Sequence, residues 1–236
     1  MTCTTRITRI NRTGTIPAVL TGWILLFNLP GNALAADNTP PAGITAAKLA
    51  PETLTVQWWQ WARPHNRTFN PLRDRTGEYC EMGQQGPVWF LAGGFGSSKI
   101  RRTCTVPAGK SLFFPVINMA YWQPKNGKTY SCKDTKAAAA LNNEAQVDLF
   151  AEINGVPIPD IKHYRITTRD CFDIFGKPED RHNTYTGYPA ASDGYWILLD
   201  PLPPGRHVLK FGGRYNNLSS AYGNMVQDIE YTITVK

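Results

Sequence analysis

The segment Arg181-His182-Asn183-Thr184-Tyr185-Thr186-Gly187-Tyr188 gathers the side-chain types of a proton-abstraction site. A Tyr or His removes the proton beside a uronate carboxylate, and an Arg or Asn neutralises that carboxylate. His182, Tyr185, Tyr188 and Arg181 are therefore the catalytic candidates for an enzyme acting on an acidic polysaccharide. A glycosidase would instead need two carboxylates about 5–9 Å apart, for which Glu78 and Glu81 are nominal candidates. A polar loop rich in Tyr and Asn is also common without any catalysis, so the sequence leans away from an enzyme.

Other chemistries find less support. There is no Gly-x-Ser-x-Gly elbow. The loop Gly93-Gly94-Phe95-Gly96-Ser97-Ser98-Lys99 lacks the Gly-Lys-Ser/Thr ending of a phosphate cradle and reads as a hairpin loop. His65, His163, His182 and His207 have no metal-ligand spacing, and no cysteine pair is CxxC. In Asp74-Arg75-Thr76-Gly77-Glu78-Tyr79-Cys80-Glu81, a calcium loop competes with a turn in which Asp74 accepts a backbone N–H two residues on. Arg73 and Arg75 beside the carboxylates favour the turn. No metal and no cofactor is expected.

Binding uses fewer assumptions. Trp122, Tyr121, Tyr130, Tyr185 and Tyr188 lie in segments read as loops, where aromatic faces with polar edges suit sugars or protein partners. The competing reading packs these rings into their own loops. Met82–Lys133 holds seven Lys or Arg and no acid, with Arg101 and Arg102 adjacent. Such a run forms either a basic face for an anionic polymer or ordinary solvated surface.

These residues need elements to hold them. Around Val56-Gln57-Trp58-Trp59-Gln60-Trp61, Thr55, Val56 and the aromatics suit a strand, but Pro51 suits a helix start and Arg63-Pro64 a stop, which favours a helix. Leu54, Trp58 and Trp61 then share one face toward a core, which leaves Trp59 to offer to a ligand. Later punctuation is that of a β protein. Val88–Ala92, Ile100–Val106, Leu112–Ile117 and Tyr164–Thr168 read as strands. Asn154-Gly155 marks a hairpin between Val147–Ile153 and Val156–Ile161. Tyr195–Leu199 and His207–Phe211 flank the turn Pro201–Gly205 as a second hairpin. His207 is read as facing solvent. Asp228–Val235 alternates cleanly, and Ala137–Ala145 reads as a short helix. The expectation is an all-β, antiparallel β-sandwich, jelly-roll or Ig-like, with one or two short helices. Met119–Lys133 and Gly176–Ser192 read as long irregular loops of a length that is usually functional.

Residues 1–35 have the pattern of a signal peptide: Arg6, Arg9 and Arg12, an apolar run to Leu29, and Ala33-Leu34-Ala35. A lead-in over 36–50 and one domain over 51–236 follow. Without the three signal arginines the formal charge falls from +7 to +4. A balance that mild does not point to nucleic acid. The apolar run is too short and interrupted for a membrane span. Secretion or a periplasmic location is expected. Cys3 leaves with the signal, and Cys80, Cys104, Cys132 and Cys171 remain. Three connectivities are possible, and local pairing favours Cys80–Cys104 and Cys132–Cys171.

Several motifs span most of the mature chain: Trp58-Trp59-Gln60-Trp61, Gly83-Gln84 with Gly86-Pro87-Val88-Trp89-Phe90-Leu91, Cys104 with Val106-Pro107-Ala108-Gly109-Lys110, Asp193-Gly194-Tyr195, and Pro203-Pro204-Gly205 with His207. As a set they resemble a group of secreted bacterial proteins of unassigned function. The resemblance implies export and a compact domain, and no catalytic residue. The leading expectation is a secreted, non-catalytic binding protein for a carbohydrate or other cell-surface polymer, acting through aromatic and basic loops. The alternatives are an enzyme on an acidic polysaccharide and a structural or partner-binding envelope protein.

Overall fold

The computed structural model describes residues 50–63, 69–96, 98–144, 146–176, 185–216 and 224–236. The signal-peptide expectation, His65, Arg181 and His182 lie outside the described residues. The elements in chain order are α1 (Pro51–Ala62), β1 (Val88–Phe90), β2 (Ser98–Val106), β3 (Ser111–Trp122), α2 (Cys132–Glu144), β4 (Gln146–Ile153), β5 (Val156–Pro157), β6 (Arg165–Thr167), β7 (Ala190–Leu199), β8 (Gly205–Asn216) and β9 (Asn224–Val235).

The strands form two sheets, ordered β1-β3-β7-β6 and β2-β9-β8-β4-β5. Leu112 and Phe114 from β3, Ile197 and Leu199 from β7, and Leu209, Phe211, Ile229 and Ile233 from the larger sheet belong to one core between them. The opposite face of the four-stranded sheet presents Phe113, Trp196 and Leu198 to α1. β7 is therefore covered on both faces and is buried throughout. Strands in that position need apolar residues on both sides, so Tyr195–Leu199 reads as a run rather than an alternation.

The antiparallel expectation holds for β3–β7, β6–β7, β4–β8, β4–β5 and β8–β9. It fails at β1–β3 and β2–β9, which are parallel. The cause is where the turns lead. Gly93–Gly96 separates β1 from β2, and Pro201–Pro204 separates β7 from β8, and each pair lies in different sheets. Neither segment closes a hairpin; both carry the chain from one sheet to the other. The Asn154-Gly155 hairpin does form, with Ile153 opposite Val156 and φ of 53° and 80° at the two turn residues. Only such left-handed angles match the twist of a two-residue hairpin.

His207 is buried at the Pro203 corner rather than facing solvent. Its Nε2–H donates to the Pro203 carbonyl at 2.8 Å. Nδ1 accepts from Asn154 Nδ2 at 3.0 Å, while Asn154 Oδ1 accepts the Val208 N–H. The ring thus ties two turns together.

β3 contains one slip that matters below. Its register with β7 shifts between Pro115 and Ile117. Before the slip, even-numbered Leu112 and Phe114 face the other sheet and odd-numbered Phe113 faces α1. Val116 and Ile117 both face the other sheet, and after them even-numbered Ala120 packs with the α1 cluster. This is a β-bulge at a proline, a residue that cannot donate to the ladder.

α2 begins at Cys132, five residues before the alanine run. Ser131 and Asp134 cap it reciprocally: the Ser131 N–H and hydroxyl donate to Asp134 Oδ2 at 2.9 and 2.7 Å, and the Asp134 N–H donates back to Ser131 Oγ at 3.2 Å. Asn143 near its end donates to the Asp193 carbonyl at 2.8 Å and accepts the Tyr215 hydroxyl at 3.2 Å, joining both sheets. Disulfides link Cys80 to Cys104 and Cys132 to Cys171, the local pairing expected.

Candidate functional site

The tryptophan motif is a buried clamp. Trp58, Trp59 and Trp61 are 0, 7 and 7 % exposed. Their indole N–H groups donate to the Leu91 carbonyl (2.9 Å), Ser192 Oγ (2.7 Å) and the Met82 carbonyl (2.8 Å). Trp58 meets Trp59, Trp61 and Trp196 edge to face at 5.0–5.9 Å. Trp59 is thus not an exposed platform: the buried stripe of α1 is wider than Leu54, Trp58 and Trp61 and includes Thr55, Trp59 and Ala62.

Trp58 and Trp59 nevertheless wall one side of a cavity of about 320 Å³. Arg63 and Leu72 continue that wall, Gly94-Phe95-Gly96 form another, and Asn118, Met119, Ala120 and Trp122 of β3 and Asn224, Met225 and Gln227 of β9 complete it. The lining is mainly apolar, and its aromatic rings are Trp58, Trp59, Phe95 and Trp122. The Arg63 guanidinium lies 4.4 Å from the centre of the Trp122 ring. The Arg73 guanidinium lies 5.1 Å from the Phe95 ring.

Two amides stand out in this lining. Asn118 Nδ2 and Gln227 Oε1 are buried and have no hydrogen-bond partner among the described residues. Gln227 is 3 % exposed and occupies an inward position of β9, in the alternation of Met225, Gln227, Ile229, Tyr231 and Ile233. A side chain at Gly93 would place its Cβ 2.8 Å from Gln227 Oε1, so the bare glycine makes room for the amide. Sequence reading missed both residues. Carrying the β9 alternation one step further upstream marks Gln227, a polar residue in an apolar phase.

The loop aromatics divide. Tyr121, Tyr130 and Trp122 line a shallow pocket of about 210 Å³ that shares Ala120 and Trp122 with the larger cavity. Tyr121 and Tyr130 pack edge to face at 5.3 Å, and Tyr185 packs on Phe175 and donates to the Gln123 carbonyl. Burial pushes the Tyr185 hydroxyl up. Tyr188 is 58 % exposed. The two segments read as long loops do meet: the Gln123 N–H donates to the Pro189 carbonyl at 2.9 Å. Met119–Trp122, however, is strand.

Two members of the basic run, Lys99 and Arg101 on β2, are paired across the sheet. β2 lies parallel to β9 with Lys99 opposite Asp228 and Arg101 opposite Glu230. Arg101 reaches Asp228 at 3.2 Å and Glu230 at 3.4 Å. The same row continues to Lys210 and Glu152, which pair at 2.8 Å. Arg102 is not on that face. It is 3 % exposed and donates to the carbonyls of Asp74, Ala92 and Pro71 and to the Tyr231 hydroxyl. The strand's alternation sends Arg101 out and Arg102 in.

The remaining polar motifs hold structure. Asp74 Oδ1 accepts the N–H groups of Thr76 (2.8 Å) and Gly77 (2.9 Å), and Oδ2 that of Tyr79 (3.0 Å). Burial raises the pKa of this carboxyl, but the donated bonds outweigh it and hold the group below its ordinary value. Asp193, 1 % exposed, takes a bidentate bond from Arg165 at 3.0 Å and the Thr167 hydroxyl at 2.6 Å. Glu78 and Glu81 are exposed beside a shallow pocket with Thr103 and Thr232. Among the described residues no group of three His, Cys, Asp or Glu is placed to hold a metal, and no helix is long and apolar enough to cross a membrane. No protein-family model, curated protein or solved structure matches this chain.

Proposed function

We propose that this chain is a non-catalytic binding protein, a β-sandwich whose cavity takes a compact amphipathic ligand of the carbohydrate class. The observation that carries the reading is the lining: aromatic rings, apolar side chains and a few polar ones, Arg63, Asn118, Asn224 and Gln227, in a volume of about 320 Å³. Ligand sites are mostly apolar with a few placed polar groups, and this volume sits at the small end of their range. No described residue of the lining is an acid, a histidine, a cysteine or a hydroxyl nucleophile, which favours binding over chemistry. The paired charges on β2, β9, β8 and β4 favour the aromatic cavity over a basic face as the contact surface. Two disulfides fit an extracellular or periplasmic setting.

Titration of the mature protein with a panel of neutral and acidic saccharides, followed by tryptophan fluorescence, tests this. The expected result is a saturable change for at least one neutral saccharide, little altered by salt and lost in Trp122→Ala. Binding that vanishes with salt would assign the contact to charge instead. Shortened chains or new unsaturated products would make the protein an enzyme.

A further inference from the structure

We propose that the Gln84 side chain stands in for a missing strand at the open edge of β1 and so keeps a second copy of this chain from pairing there. β1 is an outer strand of its sheet, with β3 on one side. Its parallel ladder to β3 uses the Pro87 carbonyl, which accepts the Ser111 N–H at 3.1 Å, and the Leu91 N–H, which donates to the Phe113 carbonyl at 3.0 Å. Backbone groups alternate in direction along a strand, so the N–H and C=O of Val88 and Phe90 point to the outer edge. At Phe90 both are taken by one side chain. Gln84 Oε1 accepts the Phe90 N–H at 2.9 Å, and Gln84 Nε2 donates to the Phe90 carbonyl at 2.8 Å. A side-chain amide carries a donor and an acceptor like a peptide group, so this is the two-bond rung that a neighbouring strand would make. The amide is fixed in turn. Nε2 also donates to the Cys80 carbonyl at 3.0 Å, and Cys80 is tied to β2 through Cys104.

Natural sheet edges are blunted by charge, proline, brevity or a covering element. Pro87 and the three-residue length of β1 limit this one, but Met82 to Ser98 holds no charged residue. Val88-Trp89-Phe90-Leu91-Ala92 is an uncharged run of β-branched, aromatic and aliphatic residues, the composition that pairs between chains. The faces of β1 are already used: Trp89 belongs to the core between the sheets, and Phe90 packs on Trp61 of α1 at 5.7 Å. Only the edge is left. Gln57, Gln60, Gln85 and Val88 help to line a recess of about 490 Å³ beside it, which leaves room for an approaching chain. The occupant this edge fits is a second β1, because the run is apolar and carries no charge to repel its own copy across an antiparallel pair.

The test compares the mature wild type with Gln84→Ala, whose methyl reaches neither Phe90 group, by analytical ultracentrifugation over a concentration series and by amide hydrogen exchange. Gln84→Ala is expected to self-associate about tenfold or more tightly than the wild type, since a partner strand no longer has two bonds to displace. In that variant the Val88 and Phe90 N–H groups should gain protection as concentration rises, because a second β1 pairs with those groups. The Cys132→Ser/Cys171→Ser protein, destabilised elsewhere with Gln84 in place, should stay monomeric, which separates loss of the cap from loss of stability. A folded Gln84→Ala that stays monomeric overturns the inference. So does association that leaves Val88 and Phe90 unprotected, or equal association of the serine control. Where Gln84→Ala does not fold, exchange in the dilute wild type decides: a slow Phe90 N–H supports the cap, and one as fast as an exposed loop amide overturns it.

Discussion

Replacing Arg102 by methionine and Arg101 by alanine should give opposite outcomes at adjacent positions. The Arg102 guanidinium donates to Asp74 O at 2.8 Å, Ala92 O at 2.6 Å, the Tyr231 hydroxyl at 3.0 Å and Pro71 O at 3.3 Å. Methionine fills much of the volume and donates nothing. The Ala92 carbonyl keeps the Tyr231 hydroxyl as a donor at 3.0 Å. The Asp74 and Pro71 carbonyls lose the guanidinium, at about 1–3 kcal/mol for each group left unsatisfied. Relief from burying a charge offsets part of this, for a net loss of about 2–4 kcal/mol. Arg101 is 45 % exposed, and its pairs with Asp228 and Glu230 are of the exposed kind, worth about 0.2–1 kcal/mol. Urea unfolding of both variants at neutral pH measures the contrast. Arg102→Met within about 0.5 kcal/mol of wild type would refute the assignment of Arg102 to the structural interior, since an uninvolved surface position gives that value.

Trp58→Ala should cost about 3–5 kcal/mol, and Trp59→Ala nearly as much, because both indoles are buried and bonded; unfolding midpoints showing Trp59→Ala neutral would restore it as an exposed platform. Replacing Cys132 and Cys171 together by serine opens a loop of 39 residues and should lower stability by about 4 kcal/mol, read by thermal or chemical unfolding. Asp74 has a folded pKa below the ordinary 3.8, so its contribution is full above that value and lost as pH falls through the folded one. The wild type should therefore lose stability below about pH 4 more steeply than Asp74→Asn, as acid titration of the unfolding midpoint would show. Trp122→Ala should weaken saccharide binding with a smaller loss of stability than Trp58→Ala, since Trp122 is only half-buried.

Features set by near neighbours in the chain are legible in the sequence. The Asn154-Gly155 hairpin, the inward phase of β9 from Ile229 onward, the Pro51 helix start and the local disulfides all depend on near neighbours in the chain. Sheet membership does not. The Gly93–Gly96 and Pro201–Pro204 segments carry the composition of turns whether they fold a strand back on its neighbour or send it to the opposite sheet, and here they do the latter. The partner that neutralises Arg101 comes from β9, more than a hundred residues away, and so does the amide that faces Asn118's cavity. The start of α2 is legible in the sequence: Ser131 followed three residues later by Asp134 marks a cap, and the helix begins there rather than at the alanine run.

The bulge at Pro115–Ile117 has a consequence for how this chain can change. A strict two-residue alternation ties each face of a strand to one parity, and a one-residue slip exchanges the parities. In β3 the slip lets positions 112 and 114 hold the two sheets together while positions 118, 120 and 122, with Met119 between them, line the cavity. The two sets share a strand yet no residue, so the cavity lining can vary along one half while the other half keeps its packing. Deleting a single residue at the bulge would exchange inside for outside from Asn118 onward, turning Asn118 and Trp122 toward the sheet interface and Tyr121 toward α1.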